Sequence, residues 1–212
     1  MKPRMLGIAP LALASLVGCG GVAPATGPVA LDGPVTVTVA GRAPDSSMEL
    51  DASGGQAVQP QPIALKIEEI ALSARSGAHP RIEGLTLPLA DVDVPASVLP
   101  PTGLALRELT LRLPQAVAAK VIHQQPDALE LEAETPLELD WSLVLDDGSL
   151  YPLGPARTEP LRLEVDVVRQ GVQAVVTVTA RCEGTCWSLD GVARLQNGSL
   201  FVEAPAEVEA AR

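Results

Sequence analysis

Cys182 and Cys186 stand four residues apart in Arg-Cys-Glu-Gly-Thr-Cys-Trp. Two thiols at this separation can form a disulfide, exchange electrons or help to hold a metal. Redox motifs usually place two residues between the thiols and set one at a helix N-terminus that lowers its pKa. Here three residues intervene, and Gly184 lets a short loop close, so a disulfide across a hairpin tip is expected. Zinc needs four ligands, and His79 and His123 are the only imidazoles in the chain. His79 precedes Pro80 in a loop-like Ser-Gly-Ala-His-Pro stretch, and His123 is followed by Gln124 and Gln125; both are expected to be exposed rather than to act as general bases. Asp91 and Asp93 share one face of a strand and are candidate calcium ligands, because hard cations take several oxygens. No spaced calcium loop accompanies them, so the expected role is a solvated strand face. Asp146 and Asp147 belong to a turn. The sequence contains no G-x-S-x-G, H-E-x-x-H, Walker or G-x-G-x-x-G pattern. No catalytic residue, metal or cofactor is therefore expected.

The third thiol, Cys19, has a different setting. Lys2 and Arg4 precede an apolar run from Met5 to Val17, which is too short for an ordinary membrane-spanning helix. Leu16, Val17, Gly18 and Cys19 follow in that order. This resembles the lipobox of bacterial lipoproteins, in which the leader is cut before a Cys whose thiol takes the lipid. The resemblance implies that residues 1–18 are a signal peptide and that Cys19 is acylated. Gly20, rather than Asp, after the Cys implies sorting to the outer membrane. Losing Lys2 and Arg4 would take the formal charge from −11 to −13. Residues 19–33, rich in Gly, Ala and Pro, read as a flexible tether.

Composition narrows the functions of what remains. The chain has 212 residues, 26 of them acidic and 15 basic. Aromatics make up 2%, namely Trp141, Trp187, Tyr151 and Phe201. An acidic chain with so few rings lacks both the cationic footprint and the stacking platforms that nucleic acids require. The same scarcity weighs against a glycosidase, whose sugar subsites are normally aromatic. Hydrophobic residues make up 47%, which is enough for a packed core.

The elements that must position these groups show period-two patterns. Val35, Val37 and Val39 alternate with Thr36 and Thr38. Leu137, Leu139 and Trp141 alternate with Glu138 and Asp140, Leu161, Leu163 and Val165 with Arg162 and Glu164, and Val176 and Val178 with Thr177 and Thr179. Asp147-Gly148, Gln170-Gly171 and Asn197-Gly198 are expected to turn three hairpins. The phase changes at Glu68-Glu69 and at Arg107-Glu108, where bulges are expected. Val117, Val121 and Ile122 place one short helix within Gln115–Gln125. About ten strands over residues 34–212 give a single antiparallel β-sandwich in a meander or Greek key, with a barrel as the other arrangement.

Gly33-Pro34-Val35-Thr36-Val37, Ile63 to Leu72, Leu99-Pro100-Pro101-Thr102-Gly103 running into Leu109 to Leu113, and Asp147-Gly148-Ser149-Leu150 occur in an order that resembles a β-sandwich domain family of bacterial envelope lipoproteins. The resemblance covers about Gly33 to Ala180 and implies the fold, but no activity and no site residues. The Cys182–Cys186 pair and the segment after Ala180 depart from it. The expected function is a lipid-anchored, non-catalytic binding or structural module of the bacterial envelope. Its membrane contact would run through the N-terminal lipid, with another envelope protein as partner. The alternatives are a carrier enclosing a hydrophobic ligand and a hydrolase.

Overall fold

The computed structural model describes residues 28–54, 59–94, 104–189 and 193–211. Leu16, Val17, Gly18 and Cys19 lie outside the described residues. The described chain forms sixteen strands and no helix. They are β1 (Val35–Arg42), β2 (Ser47–Gly54), β3 (Gln61–Lys66), β4 (Glu69–Arg75), β5 (Arg81–Pro88), β6 (Val92–Val94), β7 (Leu104–Arg112) and β8 (Val117–Ala118). They continue with β9 (Lys120–Gln125), β10 (Ala128–Thr135), β11 (Glu138–Val144), β12 (Leu150–Arg157), β13 (Leu161–Gln170), β14 (Gln173–Arg181), β15 (Thr185–Leu189) and β16 (Ala193–Ala210).

All ladders between these strands are antiparallel. The alternating side chains explain why. In β1, Val35, Val37 and Val39 are buried while Thr38 is exposed. In β13 and β14, every second residue from Leu161 to Val167 and from Ala174 to Ala180 is buried. One half of the structure runs β12-β11-β7-β5-β4-β1, and the other runs β16-β14-β13-β10-β9, with β2 and β3 beside β16. The two halves face one another across a single aliphatic core, to which Leu50 of β2, Leu111 of β7 and Leu163 of β13 all contribute. β12 and β9, at the ends of this path, do not pair with each other, so the barrel does not close. The fold is an all-β antiparallel sandwich.

β16 holds the halves together. Its residues 199–206 pair with β14, and residues 207–210 pair with β1. Between the two partners on its other edge, β2 and β1, the buried Ser46 fills the gap: the Glu203 N–H donates to Ser46 Oγ at 2.9 Å. One crossing between the halves matches a phase change in the sequence. β3 belongs to one half and β4 to the other, and the break at Ile67–Glu68 carries the chain across. Thus Glu68-Glu69 marks a change of sheet rather than a simple bulge. At Arg107-Glu108 the expected bulge is present: Asp140 pairs with Thr110, but Ser142 pairs with Arg107, and Glu108 takes φ 55°.

Three further expectations need correction. Gln115–Gln125 is not helical but forms β8 and β9. Val117, Val121 and Ile122 are β-branched, Pro126 ends the segment, and pairing with β10 supplies the hydrogen bonds a helix would have made. Asn197-Gly198 does not turn a hairpin, since it lies inside β16. Asn197, at φ 47°, makes a bulge where the register against β2 shifts between Gln196 and Ser199. The tether also ends before residue 33. Leu31 is fully buried in the core, its N–H donates to Pro126 O at 3.0 Å, and Gln124 Nε2 donates to Leu31 O at 2.7 Å and Gly33 O at 2.8 Å.

Candidate functional site

Both members of one acidic pair found in the sequence, and Asp147 of the other, are already engaged by the protein's own donors. Asp91 precedes β6 and Asp93 lies in it, beside β7. The Arg107 guanidinium reaches both, with Nη2 2.8 Å from Asp93 Oδ1 and Nε 3.4 Å from Asp91 Oδ2. A cation already sits where calcium would be needed. Among the described residues, no group of three or more His, Cys, Asp or Glu side chains is placed to hold a metal. Asp147 closes an Asx turn, accepting from Ser149 Oγ at 2.6 Å and from the Ser149 N–H at 2.9 Å. The Ser149 hydroxyl first, and then its N–H, hold the Asp147 carboxyl below the usual aspartate value.

His79, between β4 and β5, and His123, on β9, are both exposed. Cys182 and Cys186 form a disulfide with Cα atoms 5.8 Å apart. It closes the β14–β15 turn, where Gly184 takes φ 73°. That loop is fastened to the bulge in β16. Cys182 N–H donates to Gly198 O at 2.8 Å and Asn197 N–H to Gly184 O at 3.0 Å; Gly184 N–H donates to Asn197 Oδ1 at 3.1 Å.

Among the described residues, the core is tightly packed near the β2–β7 contact. The space between Met48, Leu50, Leu111, Leu137 and Trp187 measures ≈ 10 Å³, which is room for about one water. The larger concavity is outside, on the solvent face of the β14 side. It measures ≈ 610 Å³ and is lined in part by Arg162, Glu164, Asp166, Thr179 and Phe201. Strand register builds this surface. Glu130 of β10 lies directly opposite Asp166 of β13, which lies opposite Thr177 of β14, which lies opposite Glu203 of β16. One row along, Arg162 bridges Glu132 at 2.7 Å and Glu164 at 2.6 Å, and Thr179 Oγ1 donates to Glu164 at 3.1 Å.

No such cation serves the row of Glu130, Asp166 and Glu203 among the described residues. Partial burial first, and then the charges of Glu130 and Glu164, push the Asp166 carboxyl above the usual aspartate value. Phe201 is partly exposed beside this row, opposite Thr179. The surface can therefore pair a cationic group with carboxylates and pack an apolar stem on a ring. Its lining offers carboxylates, hydroxyls and the guanidinium groups of Arg162 and Arg181, with neither histidine among its residues. Sequence reading missed it because the acidic residues come from three separate strands. Alternation at Glu130, Glu132, Glu134 and at Glu164, Asp166 was the visible signal, and it acquires meaning only once β10 is set against β13.

Comparison with protein-family models, curated proteins and solved structures finds no match to this chain.

Proposed function

We propose that this chain is a lipid-anchored envelope lipoprotein that acts as a binding or structural module, with Cys19 as the attachment point and the folded exterior as the contact surface. The packing between Met48, Leu50, Leu111, Leu137 and Trp187 supports this reading over the carrier: the space there, ≈ 10 Å³, is too small for an acyl chain. The ordered succession of Lys2 and Arg4, the apolar run to Val17, and Leu16-Val17-Gly18-Cys19 supports the anchor. Multiple acyl chains, each buried methylene contributing about 0.8 kcal/mol, would retain the protein at the outer membrane. On the folded domain, the row of Glu130, Asp166 and Glu203 with Phe201 beside it favours a partner that presents basic groups.

Two measurements test this reading. Mass spectrometry of the full chain taken from bacterial membranes should show acylated Cys19 at the N-terminus, and Cys19→Ala should leave the membrane fraction. An unmodified, soluble wild-type chain would end the lipoprotein reading. Titration with a fluorescent fatty acid should give no saturable signal; displaceable binding at micromolar concentration would restore the carrier.

A further inference from the structure

The docking point of the N-terminal segment constrains how the molecule can stand on a membrane. The last leg of that segment runs along one end of the sandwich. Leu31 is buried there, Pro126 O accepts its N–H, and Gln124 and Arg169 donate to the carbonyls of Leu31 and Val29. Pro126 forms part of the β9–β10 turn, and Arg169 stands two residues before Gly171 of the β13–β14 turn. These turns are neighbours, because Ala128 pairs with both Gln125 and Val168. The chain therefore meets the domain at a fixed end.

Pro28 lies nine positions after Cys19, a span of at most about 30 Å when fully extended. β10 and β13 run away from this end to the Thr135–Leu161 pair, and β11 and β12 continue the same ribbon from Glu138–Arg157 to the hairpin tip beside Tyr151. The ten residues of β13, at about 3.3 Å each, separate the two ends by about as much again.

The near end also carries exposed aliphatic side chains. Val172, at the tip of the β13–β14 turn, is 83% exposed, and Val168 on the adjoining strand is 47% exposed. An apolar side chain at a turn tip is favourable at a lipid interface.

We propose that the end of the sandwich bearing the β9–β10 and β13–β14 turns faces the lipid surface, with Val172 at the interface. This inference rests on the acylation of Cys19. Asp32 and Asp127 stand exposed at the same end and would be repelled by anionic head groups over about 8 Å, so a zwitterionic surface is the appropriate probe. The β11–β12 hairpin and the Cys182–Cys186 loop then point away from the membrane.

The test uses the full, acylated chain in phosphatidylcholine vesicles, with and without phosphatidylcholine carrying a nitroxide on its head group. Val172→Trp and Tyr151→Trp each add an indole at an exposed position, and the wild-type chain, whose Trp141 and Trp187 are buried, sets the baseline. Nitroxide lipid should remove most of the emission added by Val172→Trp and leave that of Tyr151→Trp unchanged. Equal quenching of both, quenching of Tyr151→Trp alone, or quenching of neither in protein shown by mass to be acylated would overturn the orientation. A chain without the acyl group would overturn the anchor and the orientation together, so the two failures are told apart by the mass.

Discussion

Asp166 sits opposite Glu130 and two residues from Glu164, so its carboxylate is repelled from two directions. Partial burial and these two charges raise its pKa in the folded protein. A raised acid pKa means that the native state holds more protons than the unfolded state between the unfolded and folded values. Stability should therefore fall as pH rises through that window and stay lower above it. Asp166→Asn removes the penalty and should stabilise the protein near neutral pH. Like charges directly opposed on a sheet cost about 0.2–1 kcal/mol, and solvent screening favours the lower end of that range. Below the ordinary aspartate value of about 3.9 the advantage of the variant should vanish. Urea midpoints of wild type and variant at both pH values check this; an unchanged difference at low pH would assign the effect to packing. Asp147 has the opposite sign. Its lowered pKa stabilises the fold at neutral pH, and that contribution is lost as pH falls through its folded value.

Glu138 shows the contrasting fate of a carboxylate. Its side chain is 8% exposed, and it is held by Arg112 at 3.0 Å and by Arg157, whose Nε also lies at 3.0 Å. Both arginines are themselves partly exposed and can turn to water once released. Glu138→Ala should therefore cost about 1–3 kcal/mol rather than the larger penalty of stranding a buried charge. A double-mutant cycle with Arg157→Ala would check that the loss runs through this contact, and full additivity would refute it.

Among the elements, the long regular strands were legible because burial on one face forces period two. Val35-Val37-Val39 and Leu161-Leu163-Val165 could be read directly. The bulge at Arg107-Glu108 could be read for the same reason, since an extra residue flips the phase. Asn197-Gly198 shows where the reading stops. Asn tolerates the left-handed region whether the chain reverses or only bulges, and the choice is made by distant partners, β2 and the Cys182–Cys186 loop. Gln115–Gln125 failed similarly, because a stripe of Val117, Val121 and Ile122 fits a helix, and only β10 selects the strand. The groove face could not be read, because cross-strand register is absent from local sequence.

The loop and bulge form one unit, which gives a prediction at this scale. A Cβ on Gly198 would lie 2.7 Å from Leu50 Cδ2, whose side chain is buried. Gly198→Ala should cost about 1–3 kcal/mol by overpacking. Cys182→Ser with Cys186→Ser should cost about 2 kcal/mol for so short a loop. The two changes act on neighbouring atoms, since Gly198 N–H donates to Cys186 Sγ at 3.3 Å. Their combined effect on the urea midpoint should differ from the sum of the separate effects, and simple addition would show that loop and bulge are independent.

For the whole molecule, the decisive residue is Leu31. Composition assigns it to a tether, because Gly, Ala and Pro surround it and only Asp32 is charged. Physically it completes the core at the end where β9 and the β9–β10 turn would otherwise stand open. Its burial converts a loose leash into a fixed attachment, and the orientation of the domain depends on that conversion. If Leu31 merely rested on the surface, Leu31→Ala would change stability by a few tenths of a kcal/mol. As a fully buried leucine it should cost about 2–5 kcal/mol. Gln124→Ala, which frees the carbonyls of Leu31 and Gly33 while leaving the leucine in place, should cost about 1 kcal/mol. If the docked segment also sets how the domain stands, Leu31→Ala should weaken the vesicle quenching of Val172→Trp and raise that of Tyr151→Trp, while the acyl group still holds the chain on the membrane. Loss of stability without any change in quenching would separate the two roles, leaving Leu31 as a core residue only.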